Sequence, residues 1–405
     1  MLQLQITALS HSGDGIAHAE GRTVFVPGAL PGETVTAEIT QTRKDVSRAR
    51  LVEVIVPAPQ RVAAPCPVFG RCGGCQLQHL GYADQLAFKE EQVRVQLRRL
   101  AGLTDAPVRP ILPSPQPFGY RNQVQWSLTS NGELGFRGQA SHDVVPVSAC
   151  PIAHPAINTA RALLNLEPDA GLERVTIRVD ESGDPLLVLE PFDETPEVSL
   201  DLSLAAAVLR EDGTSFALAE RDWLDIEVKG RPFRVSAGSF FQINLAQAER
   251  LVDLMLEALE PTAEQIVFDL YCGVGLFSAF LASRVGQVVG VEAYGPAIDD
   301  AAINLDEFDN VSLYAADIDE ALPALEVRPS AVVLDPPRAG LSATAAERLG
   351  GSGAARIAYV SCDPATLARD VARLARHGYR LAWAQPLDMF PQTFHIETVA
   401  LLLKN

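Results

Sequence analysis

The sequence is poor in cysteine and has no long apolar run, and each shortage excludes a class of protein. Its 405 residues include only 6 cysteines, too few for the disulfide framework of a secreted domain. No apolar stretch approaches the roughly 18 residues that a membrane-spanning helix needs. The first residues, Met1–Gln5, lack the charged region and apolar core of a signal peptide. We therefore expect a cytoplasmic monomer of two or three domains, without a membrane partner.

Positive charge is also scarce. The chain has 33 Lys and Arg against 51 Asp and Glu, a net charge of −18, which at first argues against a nucleic-acid partner. The deficit is uneven, because the first 125 residues carry 13 basic against 10 acidic side chains and the other 280 carry 20 against 41. We expect any polyanion to bind the first third, although such an imbalance is also an ordinary solubility feature.

Three of the six cysteines, Cys66, Cys72 and Cys75, stand close together in the sequence. Five residues separate the first two, and two glycines separate the last two, which frees the backbone to wrap an inorganic centre. Thiolates bind iron or zinc in fours, so a fourth ligand is needed, and Cys150 is the candidate. Both Cys66 and Cys150 precede a proline. We favour a 4Fe–4S cluster over zinc, because zinc sites usually present paired Cys-x-x-Cys motifs.

Residues 1–58 contain short alternating or β-branched runs separated by turn-forming residues. Strands are predicted at Leu2–Leu9, Thr23–Val26, Thr34–Thr40 and Arg50–Val56. Several short strands at this spacing predict a small β-barrel. Four basic residues after the third run fit a phosphate backbone or, equally well, a solvated loop: Arg43, Lys44, Arg48 and Arg50.

Residues 59–235 form a second predicted unit, which carries the four cysteines. An amphipathic helix with a basic face is predicted over 82–101, where Leu86, Val93 and Leu97 recur at helical spacing. Beyond it the chain is mainly β, with strands predicted at Asn122–Thr129, Glu173–Val179, Pro185–Leu189 and Trp223–Val228.

From residue 236 to residue 405 strands and helices alternate. Strands are predicted at Gln265–Leu270, Gln287–Glu292, Val311–Ala315, Ala331–Leu334, Arg356–Val360, Arg380–Ala384 and Thr398–Leu403. Six strand–helix alternations followed by a last strand predict a doubly wound, Rossmann-like α/β sheet.

The first turn of this sheet has the features of a nucleoside site. Gly273 and Gly275 follow the first strand and let a nucleoside approach the backbone. Ser278 stands where a nicotinamide fingerprint requires a third glycine. Glu292 ends the second strand, where it can accept the ribose hydroxyls, and Asp317 follows the third strand. This pattern makes S-adenosylmethionine the leading ligand.

Two sequence features further along indicate methyl transfer to carbon. The motif Asp335–Arg338 resembles that of amino-group methylases, but Arg338 replaces the aromatic residue that would stack on a base. Cys362 follows the fifth strand and supplies a nucleophile, which methyl transfer to carbon requires. We expect the helix that begins behind it to lower the pKa of Cys362 and favour the thiolate. A buried, inert cysteine is the other interpretation.

Glu397 opens the last strand. In sheets of this methylase type the last strand runs antiparallel beside the fifth, so that its amino end lies at the carboxyl edge of the others. Glu397 is therefore predicted to lie near Cys362.

Five motifs together resemble the bacterial RNA 5-methyluridine methyltransferases of the iron–sulfur type. They are Cys-x5-Cys-x2-Cys, Ala237–Asn244, Asp335–Arg338, Ser361–Pro364 and Thr393–Glu397. The N-terminal segment resembles the TRAM domain, an OB-like RNA-binding barrel that family members acting on 23S ribosomal RNA often carry. The resemblance spans nearly the whole chain.

The resemblance implies a role for each motif. It implies that Cys362 is the nucleophile and that Glu397 removes the proton from carbon 5 of uracil. It implies methyl-donor or pocket positions at Gln242, Tyr271, Gly273, Gly275, Leu276, Glu292, Asp317 and Asp335. Leu276 departs from the relatives, which often carry asparagine there. The resemblance also implies a 4Fe–4S cluster held by Cys66, Cys72, Cys75 and Cys150, and a helix over 82–101 that packs with the catalytic domain.

Three alternatives stay open at this point. A transfer-RNA methylase acting on the T-loop uridine would use the same chemistry, although the N-terminal barrel favours ribosomal RNA. A non-catalytic iron–sulfur or RNA-binding module would leave Cys362 and Glu397 without a purpose. A small-molecule or protein methylase would leave the barrel and the basic helix without a purpose.

Overall fold

The computed structural model describes residues 1–139, 141–167, 171–192 and 204–405. In these ranges the strands form a six-stranded sheet, two seven-stranded sheets and a two-stranded hairpin. No helix within the same ranges is long and apolar enough to cross a membrane.

The first sheet is built from residues 2–56. Its strands are β1 (Leu2–Gln5), β2 (Ala8–Leu9), β3 (Gly15–Ala19), β4 (Arg22–Val26), β5 (Thr34–Arg43) and β6 (Val46–Val56), in the order β1-β5-β6-β4-β3-β2. Leu4, Val24 and Val35 belong to its buried core. Closure of this sheet into a barrel stays a prediction.

One expectation for this region is wrong in detail, and one open alternative is decided. The run predicted as one strand over 2–9 is two strands, because Ile6 turns inward, is buried, and donates its N–H to the carbonyl of Glu33 at 2.9 Å. The basic residues from Arg43 to Arg50 lie on the paired strands β5 and β6 and at their turn, so the solvated-loop alternative does not apply, and contact with a phosphate backbone stays a prediction. Arg50 forms an ion pair with Glu38 on the neighbouring strand, which neutralises it.

The middle of the chain contains a long helix and the second sheet. The elements are α1 (Tyr82–Ala101), β7 (Gln123–Leu128), β8 (Leu134–Arg137), β9 (Val144–Pro146), α2 (Pro155–Leu163), β10 (Leu172–Val179), β11 (Pro185–Pro191), β12 (Ala205–Leu209) and β13 (Ser215–Ala219). The sheet order is β13-β12-β11-β10-β7-β8-β9. The longer strands were predicted within two residues at each end. The short strands β8, β9, β12 and β13 were missed, because three to five residues carry little periodic signal.

The remaining elements form a hairpin and the third sheet. They are β14 (Trp223–Val228), β15 (Arg231–Ser236), α3 (Leu245–Leu259), β16 (Ile266–Leu270), α4 (Leu276–Ala282), β17 (Gln287–Glu292), α5 (Gly295–Asn304), β18 (Val311–Ala315), α6 (Ile318–Ala324), β19 (Ala331–Leu334), α7 (Ala343–Gly351), β20 (Arg356–Ser361), α8 (Pro364–Ala375), β21 (Tyr379–Leu387) and β22 (Glu397–Lys404). The sheet order is β18-β17-β16-β19-β20-β22-β21. The doubly wound α/β prediction is confirmed.

The last connection of this sheet differs from the prediction. Five strand–helix alternations precede β21, not six, and residues 388–396 join β21 to β22 without a helix. β22 pairs antiparallel with both β20 and β21. Neighbouring antiparallel strands need no crossover helix, and this is why a loop suffices here.

Helix α1 packs against the third sheet although it precedes the second. Val93 and Leu97 are buried in one apolar cluster with Leu367 of α8. The basic face predicted for this helix does not include Lys89, which is fully buried with its Nζ 2.6 Å from Oδ1 of Asp388. The division into 1–58, 59–235 and 236–405 stays a prediction.

Candidate active site

The two predicted reacting residues lie at one edge of the third sheet. In the antiparallel pair of β20 and β22, Ser361 stands opposite Thr398. Cys362 and Glu397 are the next residues outward on these strands, so they are neighbours across the end of the ladder. The antiparallel last strand therefore brings the thiol and the carboxylate together.

A cavity of about 90 Å³ lies over Cys362. His11 from the first sheet, Arg338 and His395 are among its lining residues. Nη2 of Arg338 is 3.1 Å from Nε2 of His395. Burial, together with the Arg338 charge, lowers the pKa of His395 to about 3, so its imidazole is neutral and accepts a hydrogen bond from the guanidinium.

The expected lowering of the Cys362 pKa is wrong for the protein without ligands. Burial and the nearby carboxylates of Glu397 and Asp335 raise the pKa of this thiol to about 12, and Arg338 only partly opposes them. The helix behind it cannot offset this, because Asp363 caps α8. Its Oδ1 accepts hydrogen bonds from the N–H groups of residues 365 and 366 at 2.8 and 2.9 Å.

Two carboxylates next to the thiol hold protons unusually tightly. Burial raises the pKa of Asp335 to about 7, while a hydrogen bond from Nε2 of Gln242 at 3.2 Å opposes the rise. Burial and the charge of Asp335 raise the pKa of Glu397 well above its ordinary value. Glu397 Oε1 is buried and accepts no hydrogen bond from the described residues. The site thus contains a carboxylate that is a strong base when ionised.

The motif that carries Gln242 is held in place by buried polar contacts. Nδ2 of Asn122 donates to the backbone carbonyl of Gln242 at 3.2 Å. The fully buried guanidinium of Arg178 donates to the carbonyl of Ser239 at 2.6 Å, and the Ser239 hydroxyl donates to Asp300 at 2.6 Å. The second sheet and α5 therefore fix the position of Gln242 from two sides.

The turn after β16 leaves free space beside its backbone. Gly273 has φ +55°, and a Cβ added there would meet no atom within 4 Å. The carboxylate of Glu292 spans the turn, accepting hydrogen bonds from the N–H of Gly273 at 3.1 Å and of Tyr294 at 2.8 Å. Each of its oxygens keeps a lone pair for a ligand hydroxyl. These residues fit the predicted methyl donor.

Gly275 and Leu276 differ in part from their predicted positions in the donor site. Gly275 has φ +87°, and a Cβ there would lie 2.8 Å from Cδ1 of Leu305, so glycine is required for packing against the segment after α5. The Leu276 side chain is buried in the core, and only its backbone is left for a ligand contact.

The remaining predicted positions surround the same turn. Tyr271 has φ +61°, and burial and the charge of Asp317 raise its pKa to about 12, which keeps it a neutral hydroxyl. Asp317 is exposed and caps α6, with Oδ1 2.8 Å from the N–H of Asp319.

Two residues were missed at the sequence level. Asp269 is buried at the end of β16, and its Oδ2 accepts hydrogen bonds from the N–H and hydroxyl of Ser278 at 2.9 and 2.7 Å. Burial raises its pKa to about 7. The sequence does contain a signal for Asp269, because it is the single acidic residue in the otherwise apolar strand Ile266–Leu270.

Phe240 is the second missed residue. It is 68% exposed although it stands two residues before the buried Gln242, and such exposure cannot be read from the sequence.

The four predicted metal ligands line one cavity of about 60 Å³. Cys66, Cys72 and Cys75 come from the segment before α1, and Cys150 comes from the segment before α2. The rest of the lining is mostly apolar, apart from Gln78 and Arg121. The structure thus brings the distant fourth cysteine to the other three.

The chemistry of this donor set fits a soft metal centre. Burial raises the pKa of Cys75 to about 12 and also raises the pKa of Cys72 and Cys150. Buried thiols of this kind need a cation in order to ionise. In the described residues, no group of three or more His, Cys, Asp and Glu side chains is arranged to hold a metal ion. Metal ligation by these cysteines therefore stays a prediction.

An open groove of about 490 Å³ lies beside the cysteine segment. Arg48 of the first sheet, Gly73 of the cysteine segment and Arg137 of the second sheet line it. Phe394 lines both this groove and the cavity over Cys362. The groove and the cavity over Cys362 therefore have one lining residue in common.

Known families and structures match most of this chain. The model of the tRNA (uracil-5-)-methyltransferase family matches residues 208–405, and that of the TRAM domain matches residues 2–52. A crystal structure of the Pyrococcus abyssi tRNA (uracil-54, C5)-methyltransferase in complex with S-adenosyl-L-homocysteine superimposes with a TM-score of 0.79. It is 27% identical and covers 99% of this chain and 100% of that one.

Curated relatives match over the full length. An uncharacterized RNA methyltransferase of Thermosynechococcus vestitus is 35% identical over 99% of this chain and 97% of its own. The 23S rRNA (uracil(1939)-C(5))-methyltransferase of Pseudomonas aeruginosa is 38% identical over 98% of this chain and 93% of its own. The chain therefore belongs to the family of S-adenosylmethionine-dependent RNA (uracil-5-)-methyltransferases.

Proposed function

We propose that this protein methylates carbon 5 of a specific uridine in 23S ribosomal RNA through a covalent bond between Cys362 and carbon 6 of uracil. The observation that carries the proposal is the register of the antiparallel strands β20 and β22, which makes Cys362 and Glu397 neighbours at the edge of the sheet, beside the cavity that Cys362 lines. The 23S ribosomal RNA assignment rests on the Pseudomonas relative.

Carbon 5 of uracil is a poor nucleophile, and Cys362 is proposed to activate it. Its thiol loses a proton, and the sulfur adds to carbon 6, which leaves an enolate whose carbon 5 is nucleophilic. Asp335, with a pKa of about 7, is partly ionised at neutral pH and is able to accept the thiol proton. The bound donor supplies a methyl group on a sulfonium centre. Gln242, Glu292 and the Gly273 turn are proposed to hold that donor.

Glu397 is proposed to remove the proton from carbon 5 after the methyl group has arrived. Its raised pKa makes the ionised carboxylate a strong base, and its Oε1 accepts no hydrogen bond from the described residues. Proton removal rebuilds the double bond between carbons 5 and 6 and expels the Cys362 sulfur.

The RNA must present its uridine unstacked, which costs a few kcal/mol. The groove with Arg48 and Arg137 is proposed to bind the flanking phosphates, and exposed Phe240 to stack on a base. These contacts would compensate for the cost of flipping the target out.

The four-cysteine cavity is proposed to hold a 4Fe–4S cluster. Cys66, Cys72, Cys75 and Cys150 would ligate it, because soft thiolates in an apolar cavity suit iron and sulfide. A bound cluster would join the segment before α1 to the segment before α2.

A test of the mechanism replaces Glu397 with Gln. Without the base, methylation still occurs but the product is not released, so methylated RNA should stay attached to the protein on a denaturing gel. The double variant with Cys362→Ala is the control and should show no adduct. Normal turnover by the Glu397→Gln variant would rule out the assigned role of the carboxylate.

A second candidate substrate is the T-loop uridine of transfer RNA, because the Pyrococcus tRNA enzyme superimposes over the whole chain. Mapping 5-methyluridine in ribosomal and transfer RNA from cells with and without the gene separates the two. We expect cells without the gene to lose 5-methyluridine from 23S ribosomal RNA and to keep it in transfer RNA. A separate assay tests for catalysis. If the protein releases tritium from RNA that contains 5-tritiated uridine, it is not a non-catalytic RNA-binding module.

A further inference from the structure

The segment 388–396 runs from β21 directly into Glu397, and it is anchored by residues that precede the second sheet. The carbonyl of Phe390 accepts a hydrogen bond from the buried Nζ of Lys89 at 2.9 Å. The hydroxyl of Tyr120 donates to the carbonyl of Pro391 at 3.0 Å. The segment that delivers Glu397 to the site is therefore held from outside its own sheet.

Gln392 is the most heavily bonded residue of this anchor. Its carbonyl accepts two hydrogen bonds, from the N–H of Gln76 at 3.1 Å and of Leu77 at 2.9 Å. Both donors directly follow Cys75, so the cysteine segment is bonded to the segment that carries the base. Gln392 also has φ +70°, a left-handed conformation that costs energy for a residue other than glycine.

The side-chain amide of Gln85, on α1, forms further hydrogen bonds to Gln392. These contacts among Gln392, Gln85 and residues 76–77 are called the junction below. The Oε1 of Gln85 accepts from the N–H of Gln392 at 3.1 Å, and its Nε2 donates to Oε1 of Gln392 at 3.0 Å. The same Nε2 is 3.1 Å from the carbonyl of Leu77 and 2.9 Å from that of Leu80. Gln85 and Gln392 are almost fully buried, 1% and 2% exposed, so each of these bonds lies away from water.

We propose that Gln392, locked by Gln85 and by the cysteine segment, is a positioning residue that sets Glu397 for removal of the carbon 5 proton. The inference rests on the proposed role of Glu397. The proposal also assigns a role to the four-cysteine segment. Through the N–H groups of Gln76 and Leu77, the segment would help to hold the strand that carries Glu397 in position.

The inference predicts which step fails when the junction is cut. Cys362 is carried by β20 and the donor turn by β16 and β17, and neither depends on the Gln392 bonds. Cysteine addition and methyl transfer should therefore survive, and proton removal should slow. A displacement of about 1 Å at a reacting group costs about 100-fold in rate.

The test uses Gln392→Gly, because glycine adopts the left-handed conformation freely. The variant removes the side-chain amide, with its bonds to Gln85 and to the carbonyl of Pro117, and keeps the backbone bonds to Gln76 and Leu77. Gln85→Met is the second variant, since it removes the partner amide and keeps the side-chain length. Asn310→Ala is the matched control. Its amide also donates to two carbonyls, those of Ala282 and Val285 at 2.9 and 3.0 Å, but it lies at the amino edge of the third sheet.

The expected result has three parts for Gln392→Gly and Gln85→Met. The kcat falls about 100-fold while the KM for S-adenosylmethionine stays unchanged, methylated RNA accumulates as a covalent protein adduct, and backbone amides of 388–396 exchange hydrogen faster. Asn310→Ala changes none of these. Gln392→Asn, which keeps an amide and tolerates the left-handed conformation, should restore part of the rate.

The readouts separate failure of this inference from failure of the proposed function. Glu397→Gln is run beside the variants, and absence of its methylated adduct would overturn the role of Glu397 itself. If Glu397→Gln accumulates the adduct and the junction variants do not, the positioning role is wrong. A loss of rate without adduct in either junction variant indicates mere destabilisation and also overturns it. Should Gln392→Gly fail to fold, Gln85→Met decides the question.

Discussion

The four-cysteine cavity and the cavity over Cys362 contain the same functional group in opposite surroundings. Burial raises the pKa of both Cys75 and Cys362 to about 12. Around Cys75 the other cavity residues are mostly apolar or are further thiols, apart from Gln78 and Arg121. Around Cys362 they include the guanidinium of Arg338, and the carboxylates of Glu397 and Asp335 act on the thiol.

The difference indicates what each thiol needs in order to ionise. Thiols that face one another in an apolar cavity repel as thiolates, so only a metal cation at their centre stabilises them together. A single thiol next to carboxylates transfers its proton to a base when an electrophilic carbon is present. The first arrangement suits permanent ligation, and the second suits a transient bond.

Replacing the nucleophile is expected to have the largest effect and to separate the two cavities. Cys362→Ala should lower the methylation rate by at least about 10⁴-fold, as expected when a covalent nucleophile is lost. If the proposed cluster is present, bound iron should be unchanged, because its proposed ligands line a different cavity. Tritium release from 5-tritiated uridine RNA and iron analysis of the same sample check both points. Substantial methylation activity in Cys362→Ala would contradict the covalent mechanism.

The converse change removes a proposed cluster ligand. Cys75→Ala should lose bound iron and lower the unfolding temperature, because metal-binding free energy contributes to folding. Cys272→Ala is the control, since it removes another buried thiol that lies outside the cavity. Equal iron content in the two variants would contradict the ligand assignment.

Alkylation tests the electrostatics of the two thiol sites. Arg338 lowers the pKa of Cys362 against the effects of burial and carboxylates, so Arg338→Gln should raise that pKa further. The thiolate fraction then falls, and alkylation at a fixed pH below about 9 should slow by roughly three- to tenfold, one pKa unit being about a factor of ten. Arg338→Lys keeps the charge and should alkylate nearly as the parent does.

The measurement is iodoacetamide labelling followed by mass spectrometry of peptides. In the same sample the four cavity cysteines should stay unlabelled until iron is removed. Faster labelling of Cys362 in Arg338→Gln would show that the guanidinium does not stabilise the thiolate.

The smallest expected effect concerns the groove beside the cysteine segment. Arg48→Gln and Arg137→Gln should each weaken RNA binding by a few-fold and reduce the slope of log affinity against log salt by about 1. Arg380→Gln is the control, because Arg380 is exposed at the amino edge of the third sheet. An unchanged slope in both groove variants would place the RNA elsewhere.

Much of the fold was readable from local patterns. All seven strands of the third sheet were predicted, three of them, such as Gln287–Glu292, to the residue. Such strands are short apolar runs between polar turns, and the bounds of α1 followed from its helical periodicity. The β12 strand was missed, because its alanine-rich sequence carries little strand preference.

Local patterns did not reveal the charge state of the site. The position of Cys362 before a helix suggested a lowered pKa, but burial, together with the carboxylates of Glu397 and Asp335, raises the pKa instead. The buried Lys89–Asp388 pair was likewise invisible, because a lysine on a helix is normally exposed.

The sequence by itself determined which side chains are available for chemistry: one cysteine after the fifth strand, one glutamate opening the last, and cysteines at Cys-x5-Cys-x2-Cys spacing. Only the tertiary structure decided which of them meet and in what charge state. It placed Cys150 beside the other three thiols and bonded the segment after Cys75 to Gln392. The physical reason is that motif spacing is a local property, whereas burial and electrostatic fields are sums over residues distant in the chain.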